Sequence, residues 1–430
     1  MIGKEQILNA LNLARKTVPT MHEIADLQPT GMFSGIRAVW FEGMEQGGNK
    51  TKVFAYFGMP AGASSAAPVP AVVLLHGGGG HAFLTWVKKW NDAGYAALAI
   101  DHTGYFPLSV NAGVDESKGG VGTWDRTRLP AVLWEEGYVN SPDKDDMSSS
   151  AGPLYDMWMY HAVGQAILGA NALRADARVA TELVGVVGIS WGGVIASIAI
   201  GYESRFAFAV PIYGSGYLDE AMSWMKEHFS SEETKALWLA QSRFHCVRMP
   251  ILWLCWNDDC CFSVNSNSKS YLDTVKSHAN TRISMVSGMK HSHTAAWIRP
   301  ESYRFADWIV KGGAAMTELL VQPSFEERRL ALALRVDPSA TRITAKLYYI
   351  TSPMTYSYHN KHGMASTFMD QIWETADLTV NGTQVTGTVP AQACGYYIEI
   401  TTTVEQGEYV ICSPYIEPTG GDFCTEYEGG

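Results

Sequence analysis

Short apolar runs alternate with longer segments of helical hydrophobic spacing through the first 315 residues of the chain. Such runs, many of them rich in β-branched residues, are typical of strands that are buried on both faces. Strands are predicted at 53–57, 71–75, 95–100, 183–187, 206–211, 251–256 and 281–287, and helices at 83–93, 156–176, 193–200, 266–279 and 301–311. Strands that alternate with helices are joined by right-handed crossovers, so the pattern predicts an α/β domain with a parallel sheet.

Three parts of residues 1–315 depart from this alternation. Residues 1–35 are predicted to form a helix followed by an arm. Residues 58–70 are predicted to be a flexible linker, and we expect the main sheet to start after it. Segments near 105–153 and 218–248 are inserts, the first polar and rich in Gly, Ser and Asp, the second helical. Compact domains seldom carry structureless loops as long as the first insert, which therefore predicts a cap or a substrate-side loop.

The pattern changes at the paired glycines 312–313, after which short alternating runs replace the helices. Asn381-Gly382, flanked by LTV and TQV, is a strong hairpin signal because both residues accept the positive φ of a tight turn. We therefore expect an α/β domain over 1–315 and a small all-β domain over 321–430. An immunoglobulin-like sandwich is the simplest form for the second domain.

The uncharged stretch 183–202 can be interpreted in two ways. Its length matches a membrane span, but its glycines, its central serine and its β-branched first half fit a bilayer helix poorly. The alternative is a buried strand, a sharp Gly-x-Ser-x-Gly turn at 188–192 and a buried helix. In that interpretation Ser190 lies on a strained corner with its hydroxyl exposed, and the glycines are there because the two backbones pass too close for side chains.

Composition narrows the classes of partner. A net charge of -11 argues against nucleic acid and anionic membranes, and 47% hydrophobic residues describe a soluble chain with a large core. Seven cysteines without metal-ligand spacing predict neither a disulfide framework nor a metal site. The N-terminal helix lacks the apolar core of a signal peptide, so we expect a cytoplasmic protein, or a periplasmic or secreted one if a leader was removed.

A serine on such a turn needs an oxyanion hole, and residues 76–79 supply a candidate. The sequence His-Gly-Gly-Gly follows the strand 71–75, and its glycines leave backbone N–H groups available to a developing negative charge. The first donor is expected to be Trp191, just after Ser190, and the second Gly78 or Gly79.

A serine nucleophile also needs an acid and a base later in the chain. Asp258 and Asp259 both follow the strand 251–256, and either could orient a histidine. His291 and His293 both follow the last strand, and either could take the proton from the serine. The oxyanion loop, the nucleophile, the acid and the base thus follow one another along the chain, each at the end of a predicted strand. This order favours a serine hydrolase that needs no metal or organic cofactor.

Four segments resemble the bacterial α/β-hydrolases related to acetyl xylan esterases and to the prolyl-oligopeptidase group. They include the HGGGG and ISWGG motifs and cover residues 72–104, 156–175, 184–218 and 249–271. The histidine region and the β-rich tail match more loosely. The resemblance implies an α/β-hydrolase fold followed by a β-sandwich.

The resemblance also implies which acid and base are used. The family's strand ends in Gly-Thr-Asn-Asp, and aligning it without gaps places the acid at Asp259, with Asp258 as the alternate. The family's Met-x-His-x-His run is kept at 289–293, and the histidine loop of small carboxylesterases favours His291, with His293 as the alternate.

The resulting hypothesis is a serine esterase that forms an acyl-enzyme on Ser190, with acetyl esters on carbohydrates as candidate substrates. A peptidase of the prolyl-oligopeptidase kind is the alternative within enzymes, and a non-catalytic binding protein on a hydrolase scaffold is the alternative outside them. The long polar insert after Gly104 and the Trp256-Asn257 pair before the acid depart from the family. Both departures bear on the substrate rather than on the reaction.

Overall fold

The computed structural model describes most of the chain and divides it into two compact units. Unit 1 comprises 1–214, 230–249 and 292–298, and unit 2 comprises 215–229, 250–291 and 299–430. The described residues are 4–110, 126–143, 156–221, 224–229, 231–259, 261–324, 328–352, 356–361, 364–369 and 372–417. Much of the predicted insert 105–153 lies outside them, and the boundary predicted near 315–321 stays a prediction.

Unit 1 contains the first ten strands. They are β1 (His22–Glu23), β2 (Ile36–Glu42), β3 (Lys50–Gly58), β4 (Val69–Leu75), β5 (Ala96–Ile100), β6 (Phe106–Pro107), β7 (Arg126–Thr127), β8 (Tyr138–Val139), β9 (Val179–Ile189) and β10 (Ala209–Ile212). Its α-helices are α1 (Lys4–Lys16), α2 (Leu84–Asp92), α3 (Trp158–Ala175), α4 (Trp191–Tyr202), α5 (Glu232–Trp238) and α7 (His293–Trp297). Short 3-10 helices cover Ala25–Leu27, Gly31–Phe33, Ala131–Leu133 and Ala240–Cys246.

The sheet of unit 1 is mixed, with strand order β1-β2-β3-β5-β4-β9-β10. Strands β5, β4, β9 and β10 are parallel, as the alternation with helices predicts. Strands β1, β2 and β3 add an antiparallel edge, and β3 pairs with β5. The expectation that the sheet begins after residues 58–70 was therefore wrong. All but the first residue of β3 is buried, which is typical of a strand covered on both faces of the sheet.

The uncharged stretch 183–202 divides between β9 and α4. Every residue of α4 is buried, and nearly every residue of α3, which packs on β4, β5, β9 and α4, is buried too. A helix that is apolar all round is a core helix when other elements cover it on every side. Among the described residues, no helix has both the length and the hydropathy that crossing a bilayer requires.

The described part of the first insert is attached to the sheet by Lys52. Its side chain is buried, and its Nζ donates to Leu133 O at 2.8 Å and to Glu135 Oε2 at 3.0 Å. The ammonium also lies over the rings of Trp40 and Tyr138, at 4.2 and 4.3 Å from their centroids. These contacts hold residues 131–139 against β3 in unit 1, and the cap function predicted for the insert stays a prediction.

Unit 2 contains the remaining elements. Its helices are α6 (Val264–Thr274), α8 (Pro300–Lys311) and the 3-10 helices Leu218–Glu220 and Trp224–Phe229. Its strands are β11 (Leu252–Trp256), β12 (Arg282–Val286), β13 (Glu318–Leu319), β14 (Arg329–Arg335), β15 (Arg342–Ile350), β16 (Tyr356–Lys361), β17 (Met364–Met369), β18 (Glu374–Asn381), β19 (Gln384–Thr388), β20 (Gly395–Val404) and β21 (Gly407–Cys412).

The C-terminal part of unit 2 is all-β, as predicted. Seven strands form one antiparallel sheet in the order β13-β14-β19-β18-β15-β20-β21. This single sheet curves until it is nearly barrel-shaped. The predicted hairpin joins β18 to β19. Asn381 is still paired with Gln384, and Gly382, at φ 60°, takes the first turn position.

Strands β11 and β12 are parallel and contact this C-terminal sheet. Met285 N donates to Cys412 Sγ at 3.3 Å, and Val410 N donates to Glu301 Oε1 at 3.0 Å. These hydrogen bonds explain why β12 and α8 belong to the same compact unit as β21.

Candidate active site

Ser190 occupies the corner between β9 and α4 with φ 56° and ψ -120°. A positive φ is unfavourable for a residue with a Cβ and persists only where the surroundings enforce it. Here Ser190 N donates to Ile212 O at 2.8 Å, and Ser190 O accepts from Val194 N at 3.0 Å. Both polar groups of the serine backbone are therefore fixed, which is the strained corner that the sequence predicted.

The glycines of the turn are required by close contacts between backbones. A Cβ on Gly188 would lie 2.0 Å from Gly192 O, and a Cβ on Gly192 would lie 2.0 Å from Leu75 O. Both distances are far below van der Waals contact, so neither position admits a side chain. The two glycines thus let the backbone close tightly on either side of Ser190.

The loop after β4 passes directly beside the nucleophile. A Cβ on Gly77 would lie 3.1 Å from Ser190 Cβ, and one on Gly78 would lie 2.3 Å from Trp191 Cδ1. Gly80 N donates to Gly77 O at 2.9 Å and closes a tight turn, whose exposed tip is Gly79. The structure therefore brings Gly78 and Trp191, two of the predicted oxyanion donors, against each other.

Asp259 is buried and hydrogen-bonded on both carboxylate oxygens. Its Oδ1 accepts from Cys261 N at 2.8 Å and Phe262 N at 2.9 Å, and its Oδ2 lies 2.8 Å from His291 Nδ1. Asp258 is only partly buried, and burial raises the pKa of its carboxyl group. Asp259 is thus the carboxylate that the structure pairs with a histidine.

His291 is oriented by a second contact that the sequence did not predict. Its ring lies parallel to that of Phe262, at 11° with 6.0 Å between centroids. Phe262 also donates its N–H to Asp259, so the residue supports both members of the pair. The turn before the histidine is tight, because Gly288 and Lys290 both have positive φ, at 73° and 61°.

His293 lies elsewhere, in unit 1, against the loop after β4. Its Nε2 accepts the backbone N–H of Gly77 at 2.8 Å, and the side chain is largely buried. Its ring packs on Phe83 and Trp297, with centroids 4.8 and 6.5 Å away. The two candidate histidines therefore have different partners although only Ser292 separates them.

Two more histidines lie under the same loop. His102 Nε2 donates to His76 O at 2.8 Å, and His76 Nδ1 donates to Gly77 O at 2.7 Å. The two rings stack at 3.9 Å with an angle of 11°. Burial lowers the pKa of His76 well below its usual value and that of His102 to about 4, so both are neutral near pH 7.

Within the described ranges, Asp259, Cys261 and His291 are close enough to bind one ion, because their ligand atoms all lie within 4.8 Å of one another. Asp259 Oδ2 and His291 Nδ1 are only 2.8 Å apart, however, whereas two ligands of a tetrahedral zinc ion are separated by roughly 3.3 Å. We therefore interpret this contact as a hydrogen bond between an acid and a histidine.

Comparison with known proteins identifies a family for this arrangement. Residues 54–306, more than half of the 430-residue chain, match the Dienelactone hydrolase family. No curated protein sequence matches the chain.

Solved structures give more distant similarities. Acetyl xylan esterase 1 from Thermoanaerobacterium sp. JW/SL YS485 is 15% identical over 66% of this chain and 85% of its own, with a TM-score of 0.44. The acetyl xylan esterase from Paenibacillus sp. R4 is 16% identical over 66% and 86%, with a TM-score of 0.46. The acylaminoacyl peptidase of Pyrococcus horikoshii is 14% identical over 66% and 39%, with a TM-score of 0.40.

Proposed function

Because this chain belongs to the dienelactone hydrolase family and is a hydrolase of the serine class, we propose that it cleaves carboxylic esters through an acyl-enzyme on Ser190. The observation that carries the proposal is the backbone of Ser190, which has a positive φ, is fixed by two hydrogen bonds and is surrounded by glycines. A strained corner of this kind presents the hydroxyl of a nucleophilic serine.

His291 is the proposed base and Asp259 its orienting acid. The Asp259 carboxylate accepts a hydrogen bond from Nδ1, which keeps the proton on that nitrogen and leaves the lone pair on Nε2. Nε2 takes the proton of Ser190 as the serine oxygen attacks the ester carbonyl. The carbonyl carbon then carries a new bond to the serine and a negatively charged oxygen.

The backbone N–H groups of Trp191 and Gly78 are the proposed donors to that oxyanion, with Gly79 as the alternate for the second. In the part of the chain that the structure describes, the N–H groups of Gly78 and Gly79 have no protein acceptor. Donors that are fixed before the reaction stabilise charge that develops in the transition state.

Collapse of the intermediate completes the first half of the reaction. The bond to the alcohol oxygen breaks, the alcohol leaves with the proton from His291, and the acyl group stays on Ser190. Water then attacks the acyl carbon and gives its proton to His291, and release of the acid returns a proton to the serine oxygen.

Acetyl esters of sugars are the proposed substrates, on the strength of the sequence segments that resemble acetyl xylan esterases. Initial rates on acetylated mono- and oligosaccharides should exceed those on esters with long acyl chains. Aminoacyl p-nitroanilides, tested in parallel, separate this proposal from a peptidase activity.

The esterase proposal is tested by Ser190→Ala, with Ser197→Ala as the matched control. Ser197 lies in α4, and its hydroxyl donates to Gly193 O within the core. Loss of the nucleophile should lower the hydrolysis of p-nitrophenyl acetate by about 10⁶-fold in kcat. Ser197→Ala should retain the wild-type rate. A Ser190→Ala protein that hydrolyses the ester as fast as wild type would contradict the proposal.

A further inference from the structure

The peptide that begins the oxyanion loop is bound by three imidazoles. His102 donates to the carbonyl of His76, His76 donates to the carbonyl of Gly77, and His293 accepts the N–H of Gly77, each at 2.7 to 2.8 Å. These hydrogen bonds fix the backbone immediately before Gly78.

The bond from Gly77 to His293 joins positions that are 216 residues apart. Gly77 fits only because it lacks a side chain, since a Cβ there would lie 2.9 Å from His293 Nε2 and 3.1 Å from Ser190 Cβ. The side of Gly77 on which a Cβ would lie therefore faces both the imidazole of His293 and the nucleophile. A displacement of His293 would alter the position of Gly78 relative to Ser190.

The direction of this hydrogen bond restricts the chemistry of His293. Gly77 N–H can only donate, so Nε2 of His293 must be unprotonated and its lone pair is occupied. A general base needs that lone pair for the proton of the serine. In His291 the carboxylate of Asp259 binds Nδ1 instead, so this hydrogen bond does not use the lone pair of Nε2.

We infer that His293 is a positioning residue, which holds Gly77 so that the next N–H groups meet the oxyanion. The inference rests on the proposed esterase function, because it assigns the loop after β4 to the oxyanion of that reaction. It also removes Gly77 from the set of possible oxyanion donors, because the N–H of Gly77 is already bonded.

Two substitutions of equal polarity separate this function from that of a base. In His293→Gln the amide oxygen can occupy the position of Nε2 and accept the N–H of Gly77. In His293→Asn the shorter amide reaches only the position of Nδ1, and the bond is lost. Neither amide can act as a general base near neutral pH.

The first readout is the steady-state kinetics of p-nitrophenyl acetate hydrolysis. His293→Asn should lower kcat about 100-fold at an unchanged KM, because a displaced donor affects only the transition state. His293→Gln should remain within roughly tenfold of wild type. If the Gln variant is as inactive as Ser190→Ala, or if the Asn variant is fully active, the inference is wrong.

The second readout does not depend on catalysis. Amide hydrogen exchange at Gly77, whose N–H is bonded to His293, followed by mass spectrometry, should be slow in wild type and in His293→Gln and faster in His293→Asn. Equal exchange in all three proteins would overturn the positioning function even if wild type proves inactive on every ester. An inactive wild type with the predicted exchange pattern would overturn the esterase proposal alone.

Discussion

His291 lies in the loop after β12 and His293 is the first residue of α7, two positions later, yet the partners of their ring nitrogens differ. His291 is partly exposed, binds a buried carboxylate through Nδ1 and lies parallel to Phe262. His293 is largely buried, accepts a backbone N–H through Nε2 and packs on Phe83. The function of each histidine therefore follows from the partners of its two ring nitrogens, and not from its position in the motif.

A large effect is expected from the substitution of Asp259, the acid that binds His291 and not His293. In Asp259→Asn an amide group replaces Oδ2 and donates to His291 Nδ1, so the ring proton moves to Nε2. That tautomer cannot take the proton of Ser190, and kcat/KM for p-nitrophenyl acetate should fall about 10⁴-fold.

Asp258→Asn is the matched control for this substitution. Asp258 is the adjacent carboxyl group, and its variant should remain within roughly threefold of wild type. If Asp258→Asn lost the activity and Asp259→Asn kept it, the assignment of the acid would be reversed.

A smaller effect is expected from the histidines under the oxyanion loop. Burial lowers the pKa of His102 to about 4, below the usual 6.5, so the unfolded chain binds this proton more readily. The contribution is fully present above pH 6.5 and is lost as the pH falls toward 4. His102 should therefore reduce the free energy of unfolding by about 2 kcal/mol between pH 7 and pH 5.

Urea denaturation of wild type and of His102→Gln at the two pH values measures this contribution. The Gln side chain keeps an N–H donor for His76 O and removes the titrating group, so its loss of stability on acidification should be smaller than that of wild type by the same amount. An equal dependence on pH in the two proteins would show that His102 is not the buried neutral imidazole that the structure describes.

Much of the fold could be predicted from the sequence, because buried strands and core helices leave a local hydrophobic signature. The uncharged stretch 183–202 is the clearest example, since its glycines, its central serine and its β-branched first half fit a bilayer helix poorly and favour a strand, a turn and a helix. The position of β3 in the sheet could not be predicted in the same way. The apolar run 53–57 predicts a strand, but the pairing of β3 with β2 and β5 is decided by tertiary contacts.

The candidate site was predictable to the extent that its parts follow strands in a fixed order. Ser190 and the loop 76–79 could be found from their glycines, whereas the choice of Asp259 over Asp258 depended on resemblance to a family. The contact between Gly77 and His293 could not be found, since no local pattern relates residues 216 positions apart. Phe262 has a weak signal, an aromatic residue three positions after the acid.

The different functions of the two histidines are tested most directly by the rate at which a fluorophosphonate labels Ser190, followed by intact-protein mass spectrometry. Labelling requires an activated serine but no turnover. We predict that His291→Gln lowers the rate of labelling by about 10⁴-fold, whereas His293→Gln keeps it within roughly tenfold of wild type. The opposite result, with labelling lost in His293→Gln and kept in His291→Gln, would contradict the account.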